Sequence, residues 1–353
     1  MSSRKSKATR RQERATRAQA DPLPDAARPR PRARRLALLI VLVLLGGGGL
    51  LWWNRSRAAS GAARAALDVP DPPTAGLEVP VQEIIAQART NLLARLGSAD
   101  AWGWYASVLD AHELYAEAEP CYRRAHELAP SDVRFGYNLA LVLESLGADP
   151  DRSLELYREV ARQEPTFPPV HVHIAYNLSR KGDLEGASAA YQTALALDPK
   201  LWVVRRSLAR LWIENQDFAR AAAELERVAA AVPGDGPTQA ALAQAYAGLG
   251  DQARASAASL RASGLPEVLT MPDPIRFQVR QQGRSSQLAL ERADARVVDG
   301  DYAGVVEDLK LVLRSRPGSA KIHERLAEAY GHLGQTALRD QELAEARRLR
   351  PQH

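Results

Sequence analysis

The stretch AWGWYASVLDAHELYAEAEPCYRRAHELAP, Ala101 to Pro130, holds no catalytic cluster, yet its residues are ordered by size. Small residues stand at Ala106, Ala118 and Ala125, large ones at Trp102, Tyr105, Leu109 and Tyr122, and a proline closes it. Prolines then recur at Pro130, Pro165, Pro199 and Pro233, at spacings of 35, 34 and 34. Counting back from Pro199, the same residue types return at Ile174, Ala175, Leu178, Gly182, Ala187, Tyr191 and Ala194. Counting back from Pro233 gives Leu208, Ala209, Trp212, Ala221, Leu225 and Val228. Before Pro165, Leu139, Ala140, Leu143 and Tyr157 match, and one extra residue in the connection GADPDRS explains the spacing of 35. Self-similarity at a fixed period of this size marks a stacked-repeat architecture.

Each unit reads as two antiparallel helices. The alanines let the helices approach closely, the large residues fill the space towards the next unit, and the closing proline cannot continue a helix. No single pair buries its own face, so stacking is obligatory. A fifth unit follows in TQAALAQAYAGLGDQARASAASLRA, where Leu242, Ala243, Tyr246, Gly250, Ala255 and Ala262 fit but Ser259 stands in the aromatic position. After a break, Asp299–Pro317 and Ile322–Pro351 supply two more units, the last with Leu326, Ala327, Tyr330, Gly334, Ala346 and Pro351 in place. The interruption, GLPEVLTMPDPIRFQVRQQGRSSQ from Gly264, carries prolines that exclude one long helix and reads as an irregular connector able to pack along the array. Residues 81–96 (VQEIIAQARTNLLARL) read as an amphipathic helix capping the first unit.

The pattern resembles the tetratricopeptide-repeat family, bacterial membrane-anchored type, over about two thirds of the chain: a large residue, Leu, a small residue and Tyr on a first helix, then Ala, an aromatic, Ala and Pro on a second. The resemblance implies an all-α solenoid of about seven helix pairs with one break, its concave face lined by the first helices. In the family's phase that face comprises Trp104 in the first unit, Tyr137, Asn138 and Leu141 in the second, His173, Tyr176 and Arg180 in the third, and Arg206 and Arg210 in the fourth. This is the expected partner-binding groove. An extended peptide would rest apolar side chains on Trp104 and Tyr137 and place a carboxylate near Arg206 and Arg210, since guanidinium binds carboxylate bidentately. The Lys and Asn clamp of some chaperone-binding members is replaced here by Gly103 and Ser107, so that clamp is not carried over.

Charge is unevenly spread. Residues 1–35 hold twelve Lys/Arg against three Asp/Glu, a net of +9, while the whole chain is +5, so residues 36–353 sum to −4. A basic tail on a mildly acidic body argues against nucleic acid as the partner of the repeats. Leu36 to Trp53, LALLIVLVLLGGGGLLWW, is uncharged for eighteen residues. As a helix it would span about 27 Å, against a bilayer core of roughly 30 Å. Arginines crowd its N-terminal side and Trp52 and Trp53 close it, which places the tail in the cytoplasm and the repeats outside. A signal-anchor fits a charged leader of this length; AASGAA at 58–63 keeps a cleaved signal peptide open as the alternative. The chain thus divides into a disordered basic tail resting near anionic lipid (1–35), a single transmembrane helix (36–53), an Ala/Pro-rich spacer (54–80), the capping helix and units 1–5 (81–263), the connector (264–285) and units 6–7 (286–353).

No pair among the seven histidines has HExxH spacing, and GxSxG, phosphate-loop and CxxCH motifs are absent from the sequence. Cys121 is the single cysteine and lies beside Tyr122 in a packing position. Asn177-Leu178-Ser179 has the form of a glycosylation acceptor but falls within a packing helix. The sequence implies no catalytic residues, no metal and no cofactor. It points to a scaffold in the bacterial inner membrane that binds a protein or extended peptide in envelope protein assembly or chaperoning. The alternative is a non-catalytic peripheral subunit of an envelope enzyme complex, respiratory/cytochrome or polysaccharide. Alkaline phosphatase fused after His353 is expected to be active; an inactive fusion, with a cytoplasmic reporter active at the same point, would refute this topology.

Overall fold

The computed structural model describes residues 69–148 and 150–350. The basic tail, the apolar span 36–53 and the spacer up to residue 68 lie outside the described residues. Among the described residues there are sixteen helices and no strand, and no helix is long and apolar enough to cross a membrane. Helix α1 (Val79–Ala94) precedes five helix pairs: α2 (Ala99–Asp110) with α3 (Tyr115–Leu128), α4 (Val133–Ser145) with α5 (Pro150–Gln163), α6 (Pro168–Arg180) with α7 (Leu184–Leu197), α8 (Trp202–Glu214) with α9 (Phe218–Ala231), and α10 (Gly236–Gly248) with α11 (Gln252–Ala262). The short α12 (Pro274–Arg280) interrupts, so the connector is not irregular throughout. Two further pairs close the chain, α13 (Ser286–Asp299) with α14 (Tyr302–Ser315) and α15 (Ala320–His332) with α16 (Thr336–Leu349).

The size pattern of the sequence becomes the packing. Ala106, Ala118 and Ala125 are fully buried where α2 and α3 meet, and Trp102, Tyr105, Leu109 and Tyr122 are buried around them. Ala175, Ala187, Ala194, Ala209 and Ala221 repeat the arrangement without exposed surface. The second helices α3, α5, α7, α9 and α14 each pack against the first helix of the following unit. Pairs turn tightly through left-handed residues, which glycine adopts at least cost. Gly147, Gly182, Gly250 and Gly334 have φ between 63° and 80°, whereas Glu113 and Gln216 take the same conformation without glycine. Side chains of Ser98, Asp132, Asp183, Asp217, Asp235 and Asp251 cap first or second helices by accepting amides of the first turn.

The buried residues fall into one cluster around units 1 and 2, one running through units 3 to 5, and one in units 6 and 7. A fourth joins Tyr137, Tyr157, Val160 and Val170 to Ile275 of α12. The array breaks after α11, where Ser259 is exposed instead of an aromatic being inserted into a next unit. The sixth pair returns to the first of the described helices: α14 packs on α1, and Arg314 pairs with Glu83.

Because Ala175 sits in a helix–helix contact with no exposed surface, Ala175→Trp is expected to destabilise the protein by about 1–3 kcal/mol through overpacking, read as a lower urea midpoint. An unchanged midpoint would mean that small residues do not set the helix approach.

Candidate functional site

The concave face of units 1 to 4 carries an extended occupant, and it is the chain's own segment 264–285, here called the strap. It starts against unit 5. The Gly236 amide donates to the Pro266 carbonyl at 2.9 Å. A Cβ on Gly236 would lie 2.3 Å from the Leu265 carbonyl oxygen, so this approach requires glycine. Beside it the fully buried Asp235 carboxylate accepts from Arg206 (Nη1 at 2.8 Å), the Thr238 hydroxyl and amide, and the strap amides of Val268 and Leu269 at 3.0 and 3.2 Å. Burial raises the carboxyl pKa, but these donors outweigh it and hold the group well below the usual carboxylate range. The second branch of Arg206 pairs with Glu267 of the strap.

Met271 then packs against the core of units 3 to 5. Asp273 accepts the Tyr137 hydroxyl proton at 2.6 Å with one carboxylate oxygen, and with the other caps α12 through the amides of Ile275 and Arg276. From α12, Arg276 grips Asp110 with both guanidinium branches, Nη2 to Oδ1 at 3.0 Å, and reaches the Asn138 amide oxygen at 3.3 Å. The Asp110 side chain is wholly buried and also accepts from the Tyr122 hydroxyl at 3.1 Å. Burial would lower the Arg276 pKa, but hydrogen bonds and charge from Asp110 outweigh it and raise it. Farther on, Trp104 Nε1 donates to the Gln282 amide oxygen at 3.2 Å, and the Arg284 amide donates to His112 Nε2 at 3.2 Å. Ser286 ends the run, its amide and hydroxyl both donating to Glu78 at 2.8 and 2.6 Å.

The expected groove is therefore divided. Tyr137, Asn138 and Arg206 are buried, and Trp104 is half-buried; all four hold strap residues, so they are not open to an outside peptide. The carboxylate that Arg206 takes is internal. Leu141 is half-buried in the same cluster as Ile275. His173 is a packing residue here, its ring stacked 5.0 Å from Tyr157 and its Nδ1 3.2 Å from a Glu144 oxygen. The remaining three are exposed. Tyr176 is 47% exposed with the Arg180 guanidinium 5.8 Å over its ring, and Arg210 lies one period further on. Tyr176 and Arg210 line a cleft of about 190 Å³ with Tyr191, Ser207 and Glu214. Gln244, a further 34 residues along, continues this open row onto unit 5 and was not singled out from the sequence.

Other candidates stay in packing roles. Cys121 is fully buried, and burial pushes its thiol pKa far up. Asn177 is buried with its amide donating to the His173 carbonyl at 2.9 Å. Among the described residues no group of His, Cys, Asp and Glu is placed to hold a metal ion. The residues missed by sequence reading are those that fasten the strap: Asp110, Asp235, Glu267, Asp273 and Arg276. Two signals were available. Asp110 directly follows the packing residue Leu109, and the connector pairs acids and a basic residue around its prolines.

A tetratricopeptide-repeat family model matches residues 178–246, from the end of α6 to the end of α10. The fold is a tetratricopeptide-like helical solenoid. No curated protein matches the chain by sequence. Among solved structures, the chain is similar to MamA from Desulfovibrio magneticus RS-1 (16% identity, 62% of this chain and 94% of that one, TM-score 0.32). It is similar to YrrB, described as a repeat protein with an unusual peptide-binding site (15%, 56% and 97%, TM-score 0.43). It is also similar to PilW, described as a type IV pilus biogenesis factor (17%, 65% and 98%, TM-score 0.42). Likeness at this level carries no inference about this chain.

Removing one partner of a buried ion pair leaves the other charged and unpaired. Arg276→Ala is expected to cost about 3–5 kcal/mol in the strap's attachment, while Arg276→Ala with Asp110→Asn costs less than the sum of the single changes. Additive effects in that cycle, measured by urea unfolding, would show that the two do not interact.

Proposed function

We propose that this protein is a membrane-anchored, extracytoplasmic scaffold of the bacterial envelope that holds an extended segment of a partner protein along the open row Tyr176, Arg180, Arg210 and Gln244. The observation that carries the reading is the strap. The same face already holds an extended chain through buried carboxylates, an arginine and backbone amides, and leaves an equivalent row one helical turn away uncovered. Arg210 lies four residues from Arg206 on α8, on the same side of the helix. A carboxylate of the partner would pair there as Glu267 pairs with Arg206, and Tyr176 would take an apolar or aromatic side chain. The anchor is the apolar span at 36–53 with its arginine-rich N-terminal flank. It would fix the chain in the inner membrane with the repeats on the far side. No catalytic constellation is part of this reading.

Assembly or chaperoning of envelope proteins suits a row of this kind, where one aromatic and two arginines accept many sequences. The half of the face filled by the strap favours a second reading, a non-catalytic subunit holding one fixed partner in an envelope enzyme complex. Photo-crosslinking from position 176 in intact cells separates the two, by yielding either many partners or one in stoichiometric amount.

The double reversal Arg180→Glu with Arg210→Glu is expected to weaken binding of a crosslinked partner by about 2 kcal/mol or more, since attraction is lost and repulsion added. Helicity should be unchanged, because both residues are exposed. Undiminished binding by a folded double variant would remove the open row from consideration.

A further inference from the structure

The end of the strap and the helix pairs that follow it meet α1 and the first unit at three charged or polar contacts that share one property. His112, in the turn after α2, accepts the Arg284 amide at its Nε2, which only an unprotonated nitrogen can do. Glu78, just before α1, accepts both the amide and the hydroxyl of Ser286 on a single carboxylate oxygen. Glu83 on α1 pairs with Arg314 on α14. All three need the acidic partner ionised or the imidazole neutral. Together with the contact of α14 on α1 they fasten the C-terminal helix pairs to the front of the array.

We propose that this junction is an acid-sensitive latch, in which protonation of His112 and then of Glu78 frees the C-terminal helix pairs α13–α16 from α1 while the repeats themselves stay folded. The hinge would be Gln281–Ser285, between the strap helix, held by Arg276 on Asp110, and the first turn of α13.

The charges around the junction set the direction. Arg284 and Arg292 approach His112 from the strap and from α13, and Glu78 approaches from the segment before α1. Arg292 is itself held by Asp308 on α14, with Nη2 to Oδ1 at 2.6 Å, and donates to the Gly283 carbonyl at 2.7 Å. Burial first, then the two guanidinium charges, lower the His112 pKa from 6.5 to about 4, with Glu78 opposing. Burial raises the Glu78 pKa, but the hydrogen bonds from the Ser286 hydroxyl and amide and the charge of Arg316 outweigh it and lower it. In both cases the closed state binds fewer protons than the open one. The contribution of His112 is complete above its ordinary value of 6.5 and is lost as pH falls towards 4. Glu78 adds to the loss below the ordinary carboxylate value. Such a junction loosens as pH falls from 6.5 towards 4, and it does so whichever partner the open row accepts.

The test is a distance measurement on the full chain in detergent micelles. Spin labels go on Gln87→Cys in α1 and Gln341→Cys in α16, both exposed positions, with the buried Cys121 left unlabelled. Double electron–electron resonance is recorded at neutral pH and at about pH 4.5, with far-ultraviolet circular dichroism on the same samples. The expected result is one short distance at neutral pH and a second, longer population in acid, the opening constant rising on the order of 50-fold, at unchanged helicity. His112→Gln keeps an acceptor oxygen that does not titrate, and should suppress most of the acid-induced population. An unchanged distance distribution in acid overturns the latch. So does opening that coincides with loss of helicity, or opening as large in His112→Gln as in the unsubstituted chain.

Discussion

The contact of Arg276 with Asp110 decides what the concave face can be. Asp110 has no exposed side-chain surface, and a carboxylate so placed is costly unless paired and hydrogen-bonded. Arg276 supplies that pairing, and the Tyr122 hydroxyl adds a hydrogen bond. The arginine comes from a segment 166 residues later in the chain. Satisfying one buried charge in the first unit therefore pins the strap helix across units 1 and 2. Ile275 is carried into the aromatic cluster of Tyr137 and Tyr157, and Asp273 onto the Tyr137 hydroxyl.

The strap takes over where stacking stops. In units 1 to 4 a large residue of the second helix, Tyr122, Tyr157, Tyr191 or Leu225, packs in the core beside the next first helix. Unit 5 has Ser259 there, and a serine offers too little apolar surface to drive another pair onto it. The chain leaves the array instead, held at once by Asp235 and Arg206, and runs back along the face it has just built. One consequence is a concave surface with two rows of different fate, one covered by the strap at Arg206, Tyr137 and Asn138, the other open at Tyr176, Arg210 and Gln244. Another is a second attachment, through Glu78, His112 and Glu83, that brings the final pairs to the front of the molecule.

The repeats were legible because their signal is local and periodic. Ala175 and Ala209, or Tyr105 and Tyr122, are specified by size at fixed offsets, and a period of 34 exposes them in one pass. Even the break was visible, in Ser259 and the prolines of the connector. The covering of the groove was not. Family phase correctly put Tyr137, Asn138 and Arg206 on the first helices, but whether a concave residue faces solvent depends on pairings such as Tyr137 with Asp273, 136 residues apart. No periodicity encodes those. His173, expected on the groove, packs instead for a related reason: its stacking on Tyr157 and its approach to Glu144 draw it into the packing between units.

Native-state hydrogen exchange on the full chain tests most directly whether the strap belongs to the folded array. The amides of Val268 and Leu269 donate to the buried Asp235 carboxylate and lie outside any helix, so only a seated strap protects them. A seated strap predicts slow exchange at these two amides, and selective acceleration there in Asp235→Asn. Exchange at the rate of an unstructured chain in the unsubstituted protein, with α2 and α4 still protected, would contradict it and return Tyr137, Asn138 and Arg206 to an open groove.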